Sequence, residues 1–282
     1  MASASAFTDP SLCISTPDAH PRGQGTVVKH LAFIADDFGL DAAVNEAILE
    51  GHHHGALTGA SLMMGQPGTD DAVAAAGSFP GLEIGWHLHL CDSRPLTLKT
   101  WPWGNSPVRA GFSLALTPGC RRRIRSEIEA QWNAFRQTGL PCRFINTHHH
   151  LHLHPWVFRI LMETVGSVPD AWFRGGSFRT FGTDENLTAA LTRRIGALRA
   201  SAGSTAGFLP TPATVWGLDR VCGMSAREIN AVASSLPAGL HEFMFHPRSV
   251  NSDADLAALW ELVSRRAAAE PIRPKVRGIP SE

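Results

Sequence analysis

The sequence predicts an α/β fold built on a parallel sheet, open or closed into a barrel. Short apolar runs alternate along the chain with segments of helical period, the pattern of repeated strand–helix units. Several of the runs end in Asp or His, which is where parallel α/β folds assemble their sites. The 282 residues are 44% apolar and 18% charged, enough to build a core and too apolar for a disordered chain.

The first ordered element is V-V-K-H-L-A-F-I-A, residues 27–35, which runs into Asp36, Asp37 and Gly39. A short apolar run of this kind suits a strand buried on both faces. Residues 41–54 read as a helix, with Val44, Ala47 and Ile48 on one side, and residues 58–64 as the next strand. E-I-G-W-H-L-H-L, residues 83–90, alternates as a strand does, with His87 and His89 on one face and Trp86, Leu88 and Leu90 on the other. Residues 92–118 hold Pro, Gly and two Trp and read as a long loop. Residues 121–138 form the clearest helix, with Ile124, Ile128, Trp132 and Phe135 at helical spacing before Gly139 and Pro141. R-F-I-N-T, residues 143–147, is a short strand leading into H-H-H-L-H-L-H-P. Helices follow at 155–166 and 186–202, and a capping-box pattern at Ser225 and Glu228 opens another. Residues 241–246 are a strand stopped by Pro247, and a last amphipathic helix carries Leu256, Leu259, Trp260 and Val263. Residues 1–27, rich in Ser, Pro, Gly and Ala, read as a disordered extension ahead of a single domain over 28–282. They lack the basic start and apolar run of a secretory signal.

Lys plus Arg and Asp plus Glu are both 25, and this overall balance argues against a nucleic-acid-binding protein. Tyr is absent, which removes tyrosine chemistry, while His numbers 14. Five scattered Cys without a C-x-x-C pair argue for a reducing, cytoplasmic setting. No stretch reaches the roughly 18 apolar residues of a spanning helix. Peripheral membrane contact and a homodimer stay open.

Asp36–Asp37, His87–His89, the run His148–His154 and His246 all fall at the carboxyl ends of predicted strands. Two imidazoles with one carboxylate make a divalent-metal set, zinc by the imidazoles or magnesium by the carboxylate. Three protein ligands leave positions open for water and substrate. The other Asp of the pair is then free to act as a base, since a chain turning at a strand end need not alternate its side chains. Each residue also has a plainer reading. A single Asp there is a helix cap, a single His a satisfied core residue, and His246 a structural neighbour of Pro247. His52, His53 and His54 sit at a helix end, where the dipole accounts for them. His149 should point away from His148 if strand geometry persists.

I-A-D-D-F-G-L-D-A-A-V-N-E-A-I, I-G-W-H-L-H-L, H-H-H-L-H-L-H-P and E-F-M-F-H-P, in that order, resemble the YdjC-like carbohydrate deacetylase family. The likeness runs from about residue 28 to 265. R-F-I-N-T-H-H-H-L-H-L-H-P, with Asn146 where the chitooligosaccharide deacetylases have Asp, is similar to the hopanoid-biosynthesis-associated branch. So are E-I-E-A-Q-W-N-A-F-R-Q-T-G-L-P and V-W-G-L-D-R-V-C-G-M-S. The resemblance implies a distorted (β/α) barrel and metal-dependent hydrolysis of an N-acetylated amino sugar. That sugar is an N-acetylglucosaminyl group on a hopanoid lipid or, alternatively, a soluble chitooligosaccharide. A non-catalytic metal- or sugar-binding protein is the remaining reading. The resemblance makes Asp37, His87 and His148 ligands of one Zn2+ or Mg2+ ion, Asp36 the catalytic base and His246 the proton donor. It also brings Arg174 near the substrate, against a plainer reading of Arg174 as a surface salt bridge. Trp101, Trp103 and Phe112, with Lys99 and Arg109, form a stretch that touches lipid or merely covers the barrel.

Overall fold

The computed structural model describes residues 29–175, 177–181, 187–201, 209–219, 223–250 and 257–261. The extension expected at 1–27 lies outside them, as do Leu256 and Val263 of the expected last helix, of which 257–261 are helical. The elements are β1 (Lys29–Phe38), α1 (Ala42–His53), β2 (Gly59–Leu62), α2 (Thr69–Ala76), β3 (Glu83–Leu88), α3 (Pro107–Leu116), α4 (Pro118–Gln137), β4 (Phe144–Thr147), a 3-10 turn (His148–Leu153), α5 (Pro155–Val165), β5 (Trp172–Phe173), β6 (Phe178–Arg179), α6 (Leu187–Ser201), β7 (Thr214–Trp216), α7 (Ala226–Ser235) and β8 (Gly239–Phe245).

All eight strands are parallel, in the order β5-β4-β3-β2-β1-β8-β7-β6. The sheet curls into a half-barrel. A flat sheet would hold β5 about 19 Å from β1, four strand spacings away. Yet Arg174, immediately after β5, bonds Asp36 on β1 and Glu242 on β8. The Phe173 N–H also donates to the Pro210 carbonyl (2.8 Å), tying the β5 edge toward β7.

The inner face is stacked in two layers. Ile34, Phe144 and Trp172, from β1, β4 and β5, fill the lower one. Phe144 and Trp172 stack at 4.9 Å, and the strands between are emptied to admit the ring. A Cβ on Gly85 would lie 2.3 Å from Phe144, and one on Gly59 3.1 Å from it. Two positions further along the same strands, on the same face by strand alternation, stand Asp36, Ser61, His87, Asn146 and Arg174. The outer face carries the main core, where Trp86 meets Trp132 of α4 at 5.0 Å.

Helix starts follow local chemistry. Asp41 Oδ1 accepts from Val44 N (2.9 Å) at α1, and Ser225 and Glu228 form the anticipated capping box at α7. Residues 92–118 are not one loop, because Ser106 caps α3 and Pro107 opens it at the first helical position. Trp101 and Trp103 are buried and stacked at 5.8 Å, with indole N–H groups donating to Ser93 O and Leu90 O. The short helix α2 and the short strands β5, β6 and β7 had no periodicity to announce them.

Candidate metal centre

The end of β1 sets the site. Ala35 pairs with Ala60 and Phe38 with Leu62, so Asp36 and Asp37 together oppose Ser61 alone. This is a bulge, a device that re-aims side chains, and Asp37 completes it in the left-handed region (φ 69°). The two neighbouring carboxylates therefore enter one site instead of opposite faces. Asn45 of α1 holds the turn, accepting from Gly39 N (2.7 Å) and donating to Gly68 O (2.8 Å).

Three predicted residues converge. Asp37 Oδ1 lies 3.2 Å from His87 Nε2 and 2.9 Å from His148 Nδ1. One ligand atom from each falls within 4.8 Å of the others. His87 is oriented from behind: its Nδ1–H donates to Asn146 Oδ1 at 2.5 Å, which turns the Nε2 lone pair toward Asp37. Both Asp37 oxygens and His87 Nε2 are buried without a hydrogen bond of proper geometry. Buried acceptors facing one another call for a proton or a cation between them. The donor set, two imidazoles and a carboxylate, fits a zinc or magnesium ion. Burial pushes the Asp37 carboxyl up, but His148 and then His87 overcome it and hold it well below the usual range. Burial pulls His87 down, while Asp36 and Asp37 raise it above its ordinary value.

Asp36 is held differently. Its Oδ1 accepts from Ser61 Oγ (2.8 Å), Asn146 Nδ2 (3.0 Å) and Arg174 Nη2 (2.9 Å), and its Oδ2 from Arg174 Nη1 (2.5 Å). Burial raises this carboxyl, yet Arg174 beside it drives it far below the normal range. Arg174 also donates from Nε to Glu242 Oε1 (2.7 Å) and from Nη2 to the same oxygen. It is 0% exposed, which overturns the surface salt-bridge reading. His246 Nε2 stands 3.7 Å from Asp36 Oδ2. Burial draws His246 below its ordinary value although Asp36 pulls it upward.

The other histidines divide clearly. His89 lies beyond the end of β3 and is spent on structure: Nε2 meets Met64 O (2.9 Å) and Nδ1 meets Ser93 Oγ (2.9 Å). Burial pulls its pKa down to about 3. His149 does not point away from His148, since strand geometry ends at Thr147. With φ 53° at both His149 and His150, the chain folds back and the rings of His148 and His149 lie 4.2 Å apart. His152 is seated against Thr147 Oγ1 (2.7 Å), and His154 caps α5. His52 and His53 end α1, as the dipole argument expects, and His54 caps it.

Sequence reasoning missed Ser61, Glu242, Arg248 and the bridging role of Asn146. Arg248 Nη2 sits 3.1 Å from Asp37 Oδ2. Ser61 and Glu242 had a signal, being isolated polar residues inside apolar strands.

The profile of the YdjC-like protein family matches residues 30–270. A carbohydrate deacetylase of Vibrio cholerae is 36% identical over 137 residues, 46% of this chain and 53% of that protein. One of Geobacillus stearothermophilus is 37% identical over 132 residues, 46% and 53% of the two chains. The aligned part thus spans about half the length of these curated relatives. A crystal structure from Enterococcus faecalis, described provisionally as a cellobiose-phosphate cleavage protein, superposes with a TM-score of 0.56 at 18% identity. The match covers 86% of this chain and 92% of that one, and it supports the fold.

Proposed function

The chain belongs to the YdjC-like protein family, and from that premise we propose that it is a metal-dependent deacetylase of an N-acetylated amino sugar. The single observation carrying this reading is the convergence of Asp37, His87 and His148, with unsatisfied buried donor atoms, beside an Asp36 that stays out of the ligand set. Asp37, His87 and His148 would hold a zinc or magnesium ion, which would supply a Lewis acid that lowers the pKa of water.

The remaining work falls to the chain. Arg174 keeps Asp36 ionised and aims it, with Ser61 and Asn146 fixing the other oxygen. Asp36 Oδ2 takes a proton from the water that attacks the acetyl carbonyl carbon. Burial draws His246 below its ordinary value, which favours the neutral imidazole. It receives that proton across the 3.7 Å gap and hands it to the leaving nitrogen as the C–N bond breaks. Acetate and a free amine result.

The finer substrate is an N-acetylglucosaminyl group on a hopanoid lipid. The reading rests on the resemblance around Asn146, in residues 127–141 and in residues 215–225. A soluble chitooligosaccharide is the second reading, favoured by the curated relatives being named carbohydrate deacetylases. The free thiols of Cys91, Cys120 and Cys142 support a reducing cytoplasmic setting.

Acetate release from both substrates, with and without chelator, tests the reaction. Asp36→Asn should keep the metal and slow turnover about 10²–10⁴-fold, whereas His148→Ala should lose metal. Release that ignores the chelator refutes metal dependence. Activity surviving Asp36→Asn removes Asp36 as base, and acetate from neither substrate rejects the deacetylase.

A further inference from the structure

Among the described residues six large apolar side chains are exposed, three on α3 and three on α6. On α3 they are Val108 (59%), Phe112 (66%) and Leu116 (77%). Spaced by four, they fall within an arc of about 80°, on the side opposite the buried Ala110 and Leu114. The helix thus has one apolar side for the core and a second that is largely exposed among the described residues.

The charge along this segment of the chain is of one sign, with Arg125 alone of its cations pairing with acids outside it, Glu129 and Glu163. Residues 93–126 contain seven Lys or Arg and no Asp or Glu, in a chain whose totals are balanced at 25 each. Arg121 closes the end of α3, donating to Leu114 O (3.0 Å) and Ala115 O (2.7 Å). Arg109, Arg122 and Arg123 are exposed beside it. On α6, Leu191, Ile195 and Leu198 are exposed, and residues 187–201 hold three Arg and no acid. Both helices touch the His148–Leu153 turn, which carries a residue of the metal centre.

We propose that α3, with the basic start of α4, docks the protein onto an anionic phospholipid surface. Val108, Phe112 and Leu116 enter the headgroup boundary, and the arginines pair with lipid phosphate. An exposed apolar stripe bordered by cations is the form an interfacial helix takes. A second copy of the chain fits less well. A two-fold contact through α3 would set Arg109, Arg122 and Arg123 against their own copies. Docking is independent of the reaction. Its use, bringing the metal centre to a sugar at the membrane surface, rests on the deacetylase reading.

Co-sedimentation of the full chain with phosphatidylcholine vesicles, with and without phosphatidylglycerol, tests this. Binding should require phosphatidylglycerol and weaken with salt. Phe112→Asp or Leu116→Asp should abolish it, and Arg122→Gln and Arg123→Gln should each lower partitioning about five-fold. Melting temperatures, and acetate release from a soluble N-acetylated sugar, should stay at the wild-type level. The proposal is overturned if wild-type protein ignores anionic vesicles or if Phe112→Asp binds them equally. It is also overturned if the chain is a dimer in solution that Phe112→Asp splits. Vesicle binding without acetate release would reject the reaction and leave the docking intact.

Discussion

Replacing Arg174 by Met removes the guanidinium that bonds both Asp36 and Glu242. Both carboxylates are buried, and the guanidinium donates two bonds to each. Deleting one partner of a buried pair leaves uncompensated charge, a loss of about 3–5 kcal/mol. At about 2–4 °C per kcal/mol for a large domain, the melting temperature should fall by about 6–20 °C. The sign with pH is also set. Burial already raises Glu242 above its ordinary value, and without Arg174 it rises further. The folded variant then binds more protons than its unfolded chain, so its deficit shrinks as pH falls toward 5 and grows toward 8. Arg174→Met/Glu242→Met should recover part of the loss, because the second carboxylate no longer needs a partner. Thermal unfolding followed by circular dichroism in chelator measures all of this on the metal-free protein. A melting shift below about 2 °C, or strict additivity in the double variant, would refute the reasoning.

Other consequences follow from neighbouring residues. Asn146→Leu takes away the acceptor that orients His87, so metal affinity should drop about 10–100-fold by titration calorimetry. Unaltered affinity would dismiss the orienting role. Gly85→Ala drives a Cβ to within 2.3 Å of the Phe144 ring, which should cost about 1–3 kcal/mol in urea unfolding. Gly85→Ala/Phe144→Leu should regain some of it, and no loss in the single variant would contradict the layered packing. His89, with a folded pKa of about 3 against an ordinary 6.5, binds fewer protons folded than unfolded between those values. Stability should therefore decline as pH falls from 6.5 toward 3, by up to about 1.4 kcal/mol per unit from this group. His89→Gln should flatten that slope, and an unchanged slope would count against it.

The elements that sequence reading located are those with strong local signals. The run into Asp36 is β1, the alternation over residues 83–90 is β3, and Ile124 to Phe135 lie on α4. The Ser225–Glu228 box opens α7. The elements it overlooked have weak ones. A strand of two residues such as β5 or β6 has no measurable period, and its place comes from its neighbours in the sheet. Within 92–118, Pro and Gly suggested a loop, although Pro107 in fact begins a helix.

For the site, sequence alone supplied the residue types: carboxylates and imidazoles at strand ends, in an order that identifies the family. Which of the two aspartates faces which partner was decided in three dimensions. It depends on the bulge opposite Ser61 and on Asp37's left-handed backbone, neither written in any single residue. Arg174 is the clearest case. It is 138 positions from Asp36, and only the curl of the sheet around Phe144 brings its guanidinium across. Strand period is a property of neighbours along the chain, whereas the curvature that closes the site arises from packing between strands far apart in it.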